Sequence, residues 1–333
     1  MRPLRTRSTK TRPRANGEPW RRALPRFPRR VLWALVAMLT GSARAIETNM
    51  PPTIVPGARL EEMYADPRSF GGLAWDPAAQ KLYFTVSGKS KEDTCILRLE
   101  APGRAVVWAD RTEGVNGILL SRDGRLLGAQ AFGHRVLRYT LGEFQPRRVE
   151  TLLHDDRLNQ PNDLVEGLRG NIYFTDPDFA NRTKSGVYLL RRSGELVKLI
   201  SDMTLPKGLR LSNDGRTLYV GDSHEKLWRS FPVMPNGITG PGKIFFDPPV
   251  ENRSDTDGMT IDELGNLYLP GRGGVWVVDP GGKALGLIPA PRFCSNVTFG
   301  DRDGRSLYLA CDQRLYKIRA RVRGALFVRQ PRH

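Results

Sequence analysis

The 333-residue chain carries 52 Lys/Arg against 35 Asp/Glu, a net charge of +17 that taken whole would suggest a nucleic-acid binder. Residues 1–45 alone hold twelve Lys/Arg and one Glu, so eleven of those charges sit at the start and only +6 remains for the rest. No nucleic-acid partner is therefore expected for the main body, and three cysteines at no zinc-ligand spacing exclude a Cys/His metal module.

Residues 1–45 read as a basic export signal with a disordered start. Arg21, Arg22, Arg26, Arg29 and Arg30 precede a short apolar run over 31–41, and Ala43-Arg44-Ala45 supplies a small-x-small cleavage pattern. The run is shorter than the roughly 20 residues needed to span a bilayer, so no stable membrane span is expected after cleavage. Arg29-Arg30 partly matches a twin-arginine signal. The expectation is an exported, periplasmic or extracellular protein; the alternative is an uncleaved anchor or a basic tail.

Residues 46–333 form one domain. Within it a short pattern recurs: an apolar strand, a Gly-bearing turn, and a second strand rich in aromatic and β-branched residues. The third copy, PNDLVEGLRGNIYFTDPDF over 161–179, is the clearest. The copies start at Gly71, Asn116, Asn162, Lys207, Asp257 and Ser295, spaced by 45, 46, 45, 50 and 38 residues. A period near 45 with strands inside each unit is a propeller-blade signature, and no unit has a helical apolar period. Six units predict an all-β, six-bladed β-propeller. Third strands are expected over 95–99, 136–139, 186–190, 226–231, 274–278 and 314–318, with a fourth over 195–200. Residues 58–64 have no partner nearby in sequence and are expected to close the ring against the last blade.

Cys294 and Cys311 fall opposite each other across the sixth hairpin. A disulfide and a pair of buried thiols are equally compatible with that spacing, because directly opposed positions strain the bond.

In a propeller the residue leading each first strand lies at the mouth of the central channel. Gly71, Asn116, Asn162, Lys207, Asp257 and Ser295 are expected to converge there. Asp176, Asp222 and Asp312 at the ends of second strands should stand beside them, with His224 close behind. Such a polar cluster on a rigid scaffold suggests a small-molecule site. Turn preference alone would explain each Asn and Asp, but not Lys207. The insertion over 247–256, DPPVENRSDT, is a candidate lid.

The phrases PNDLVEGLRGNIYFTDPDF, KGLRLSNDGRTLYVGDS and DGMTIDELGNLYLPGRGGVWVVDPGGK are similar to those of the SMP-30/gluconolactonase/luciferin-regenerating-enzyme family. The resemblance covers about 71–318 and implies a metal-dependent lactonase, with a divalent cation, often Ca2+, held by a Glu, two Asn and an Asp. Asn162 and Asp257 match two of those ligands. Gly71 stands where the Glu is expected, Lys207 where the second Asn is expected, and Gln160 where animal members carry Arg. Calcium wants six or more oxygens, and an ammonium in its shell repels it by several kcal/mol at an effective dielectric near 20. The metal site is therefore expected to be divergent, with the Lys207 ammonium in the cation's place beside Asp257. Asp257 and Lys207 are the catalytic candidates; Asn116, Asn162, Asp176, Asp222 and His224 are the substrate-binding candidates. The two functional readings are a lactonase-like hydrolase and a non-catalytic ligand-binding propeller.

Overall fold

The computed structural model describes residues 49–88, 90–167 and 169–327. The basic segment 1–45 lies outside the described residues. The chain divides into two units, Met1–Ile46 and Glu47–His333, and all that follows concerns the second.

Its strands form six four-stranded antiparallel sheets, in agreement with the six sequence units. The first strands are Ser69–Asp76, Val115–Leu120, Leu164–Glu166, Pro206–Leu211, Thr260–Ile261 and Cys294–Gly300. The second strands are Lys81–Ser87, Leu126–Gln130, Ile172–Asp176, Thr217–Asp222, Leu267–Gly271 and Ser306–Cys311. The turn joining each pair needs a left-handed residue. Gly124, Gly170, Gly215, Gly265 and Gly304 supply it at φ +67° to +85°, which is why the glycine recurs in the sequence.

Blade six is completed by the N-terminal strand Glu61–Ala65, which pairs with Arg314–Arg319 from Glu61 opposite Lys317 to Ala65 opposite Arg314. The ring is thereby closed as the sequence predicts. The core says the same. Among the described residues it falls into six apolar clusters, each shared by two successive blades. Leu127 and Val136 of blade two, for instance, pack with Ile172 and Phe174 of blade three, while Tyr308 and Leu315 of blade six join Phe84 and Leu97 of blade one. Stacked sheets bury both faces, which suits the β-branched and aromatic second strands.

Cys294 and Cys311 are opposed in register and joined as a disulfide, which settles the alternative left open by spacing. It spans 17 residues, a loop for which chain entropy gives about 3 kcal/mol. Replacing both by serine is expected to lower the oxidised protein's midpoint of thermal unfolding by several degrees, and dithiothreitol should then have no further effect on the variant. An unchanged midpoint would mean that the ring holds this hairpin without the bond.

A propeller mouth with a lysine-carboxylate pair

The six leading residues do converge, because each blade is tied to the next at that level. Thr85 Oγ1 donates to the Asn116 carbonyl at 2.8 Å, Gly117 N to Asn162 at 2.7 Å, and Thr175 Oγ1 to Lys207 at 2.6 Å. Gly258 N donates to Ser295 at 3.0 Å, and Ser295 Oγ closes the circle on the Phe70 carbonyl at 2.7 Å. Between blades four and five, Ser223 Oγ reaches the Thr256 carbonyl. Gly208 there lies so close to the next blade that a Cβ would stand 2.0 Å from the Asp257 carbonyl oxygen. Gly208→Ala is accordingly expected to force blades four and five apart at the mouth and destabilise the fold by several kcal/mol, measurable by denaturant unfolding.

At the mouth, Lys207 Nζ lies 3.7 Å from Asp257 Oδ2, with side chains 15 % and 18 % exposed. The separation exceeds a hydrogen bond, so the ammonium can turn its N–H groups to a ligand. Asp257 Oδ1 accepts its neighbour Gly258 N at 3.1 Å. Burial raises the Asp257 pKa above the usual carboxylate range, against the opposing pull of Lys207. Asn162 is buried, and its Oδ1 finds no hydrogen-bond donor. An unpartnered amide oxygen costs about 1–3 kcal/mol, a cost that a bound hydroxyl, ammonium or cation would relieve.

Gly71 offers no side chain. Its vacant Cβ position lies 2.6 Å from Thr85 Oγ1 and 3.2 Å from Asn116 Oδ1, so the Asn116 amide and the threonine hydroxyl border the place of the missing Glu.

Two of the expected site residues stand elsewhere in role. Asp176 and Asp222 are 0 % and 1 % exposed and present no surface to a ligand. Asp176 receives Asn159 N and Nδ2 at 2.9 Å; Asp222 receives the backbone N–H groups of Thr204, Leu205, His224 and Glu225. Both fasten the loops that lead into their own blades, so they are corrected from substrate-binding to structural residues. His224 is exposed, its Nδ1 2.9 Å from Arg182 Nη1. The 247–256 insertion is anchored at its far end, where Thr256 is fully buried and Ser254 Oγ accepts Arg272 N at 2.6 Å.

Three residues escaped the sequence reading. Phe179 places its ring 5.8 Å from Lys207 Nζ, on a loop fixed by Asp178, whose carboxylate accepts Asn181 N at 3.0 Å. Asp163, next to Asn162, is buried and accepts Leu164 N at 2.9 Å and Leu209 N at 3.3 Å. Burial lifts its pKa to about 7, and the charge of Asp257 adds to the rise. Arg210 of blade four shares the channel; burial lowers its pKa, while Asp163 supports its charge. The PND phrase was the available signal for Asp163. The channel side also holds a small cavity of about 20 Å³, lined by residues that include Asp163, Arg210, Asn296 and Leu326.

A closed six-bladed propeller with a polar mouth defines the class. The chain belongs to the SMP-30/Gluconolactonase/LRE-like family, whose profile matches residues 71–312. It is 28 % identical over 235 residues to a gluconolactonase of Zymomonas mobilis, a match covering 64 % of this chain and 65 % of that protein. A lactonase of Staphylococcus saprophyticus is 27 % identical over 135 residues, covering 39 % of this chain and 42 % of the relative. The solved gluconolactonase of Xanthomonas campestris superposes with a TM-score of 0.69 at 26 % identity, over 82 % of this chain and 95 % of that one. The chain thus spans less than two thirds of the length of either sequence relative.

The family generally binds a divalent cation. Among the described residues there is no group of three or more His, Cys, Asp and Glu able to hold a metal ion, and no helix long and apolar enough to cross a membrane.

Proposed function

We propose that the protein hydrolyses lactones at the propeller mouth, with the Lys207 ammonium doing the electrostatic work that a cation does elsewhere in the family. The observation that carries this reading is the Lys207–Asp257 pair on adjacent blades, 3.7 Å apart at the convergence point of the ring. The donor set does not fit calcium. It offers the Asp257 carboxylate and the Asn162 amide, no carboxylate at Gly71, and an ammonium at the remaining position. A doubly charged ion about 4 Å from that ammonium would be repelled by about 8 kcal/mol at an effective dielectric near 20.

In the proposed reaction Asp257 takes a proton from water as the oxygen attacks the lactone carbonyl carbon. Lys207 donates a hydrogen bond to the carbonyl oxygen as it becomes an oxyanion. The ring C–O bond then breaks, the leaving alkoxide recovers the proton from Asp257, and a hydroxy acid departs. Asn162 Oδ1 is the acceptor for a substrate hydroxyl, Asn116 lies across the mouth, and the Phe179 ring covers Lys207 from the loop side. The resemblance to lactonases supports a small-molecule substrate. Residues 1–45 are proposed to direct export to the periplasm or beyond, on their charge and apolar pattern alone.

The second reading, a ligand-binding propeller without turnover, is favoured by the loss of two expected ligands at Gly71 and Lys207. A panel of sugar and aliphatic lactones assayed with and without EDTA decides between them. Turnover that ignores the chelator and disappears in Asp257→Asn is the expected result. Chelator-sensitive turnover would return the site to the family's metal chemistry, and silence with every lactone would leave the binder.

A further inference from the structure

The face opposite the mouth carries the turns between first and second strands, and between blades two and three it opens into a cleft of about 490 Å³. Its floor is apolar, made by Leu127, Leu152, Ile172 and Leu190. Its walls are basic: six arginines, Arg122, Arg125, Arg138, Arg169, Arg191 and Arg192, line it against two acids, Asp123 and Glu166.

The surplus of positive charge persists when acids beyond the lining are included: with Arg148, seven guanidiniums meet four carboxylates, Asp123, Glu150, Glu166 and Glu195, and Glu166 accepts the backbone N–H of Arg122 at 2.8 Å. One carboxylate, Glu150, serves three guanidiniums at once, accepting Arg138 Nε at 2.7 Å, Arg148 Nη2 at 3.1 Å and Arg125 Nη1 at 3.4 Å. Asp123 is spent on Arg125 and Glu195 on Arg191. Among the described residues Arg169 has one side-chain hydrogen bond, to a neutral acceptor, the Pro235 carbonyl at 2.8 Å. Arg192 is exposed; its backbone N–H goes to Asn171 Oδ1 at 3.2 Å, and its guanidinium has no acceptor among the described residues. Arg191 Nη1 also takes a neutral acceptor, the Asn236 carbonyl at 2.8 Å. Guanidinium forks match carboxylate and phosphate oxygens two at a time, so a crowd of them with too few acids retains donor capacity for an anion.

We infer that this cleft is a second ligand site, which takes a small organic anion. Its carboxylate or phosphate is held by Arg169 and Arg192, and its apolar body lies on the Leu127–Ile172 floor. The volume is that of an ordinary small-molecule pocket. The combination of apolar floor and basic wall selects against both free inorganic phosphate and neutral hydrocarbons. The site is separate from the mouth and does not depend on the lactonase reading.

The test uses 1-naphthyl phosphate as probe, followed by the change in its fluorescence, with inorganic phosphate and 1-naphthol as controls. Saturable 1:1 binding is expected, at least tenfold tighter than either control, weakened at least tenfold in R169Q/R192Q and unchanged in Lys207→Met. Both arginines are exposed turn residues, and circular dichroism checks that the double variant is folded. Binding lost in Lys207→Met but kept in R169Q/R192Q would put the anion in the mouth and overturn the assignment. So would the absence of saturable binding at millimolar probe, or capture by phosphatidylglycerol vesicles without any binding of the soluble probe.

Discussion

Lys207→Met is expected to lower kcat/KM for the best lactone by about 10²–10³-fold, the loss typical of removing one donor to a developing oxyanion. Methionine keeps the length and apolar stem of the side chain, so its contact with the Phe179 ring survives while the charge does not. A second effect separates chemistry from packing. Lys207 opposes the rise that burial imposes on the Asp257 pKa, so its removal must push that pKa higher still. Asp257 has to be ionised to act as base, and residual activity should therefore fall off on the acid side at a higher pH than in the parent protein. A variant that was merely misfolded would lose activity without moving that limb. Lys207→Asn adds a complementary measurement: with the ammonium gone and an amide oxygen in its place, calcium binding by calorimetry should exceed that of the parent. Parent-like activity in Lys207→Met, or an unmoved acid limb, would remove Lys207 from the reaction.

The repeat made most of this ring legible before any coordinates. Five hairpin turns share one left-handed glycine, which follows the residue leading its first strand by eight positions in blades two to five and by nine in blade six. Equivalence by count therefore became equivalence in space, and it brought Lys207 next to Asp257. The same counting misled for Asp176 and Asp222. They occupy the right level of the ring, yet each carboxylate is claimed by backbone N–H groups that include some 17–18 residues earlier in the chain, a partner that periodicity cannot reveal. Asp163 failed in the opposite sense. It stood beside Asn162 in a phrase that favours turns, and nothing local indicates that its neighbour on the adjacent blade is Gly117. A Cβ at that glycine would lie 2.4 Å from the Asp163 carboxylate, so the missing side chain is what admits the acid to the channel wall. The pairing of Cys294 with Cys311 was undecidable for a related reason: register fixes which residues face each other, not whether their sulfurs meet.

Asp163 carries the other large prediction, on stability. Its pKa is raised by burial to about 7 in the folded protein, against about 3.9 for an unfolded aspartate. A group whose folded pKa is raised contributes fully below its unfolded value and loses that contribution as pH climbs through the folded one. The vulnerable window is therefore pH 4 to about 7, and the loss across it is at most about 4 kcal/mol, from some three pKa units at 1.36 kcal/mol each. Asp176, raised by burial to about 6, acts in the same direction, so the parent curve alone would not isolate Asp163. The difference between parent and Asp163→Asn does, because Asp176 is common to both. Asparagine has a single carbonyl oxygen for the Leu164 and Leu209 N–H groups, and the variant should be the less stable protein at pH 4. Above pH 7 the parent must hold a buried anion near Asp257, supported by the Leu164 and Leu209 N–H groups and by Arg210, and there the ranking should reverse. Denaturant unfolding at pH 4 and pH 8 reads the crossing directly; two curves running parallel across that interval would mean that the Asp163 carboxylate is solvated in the channel and ionises as an ordinary acid.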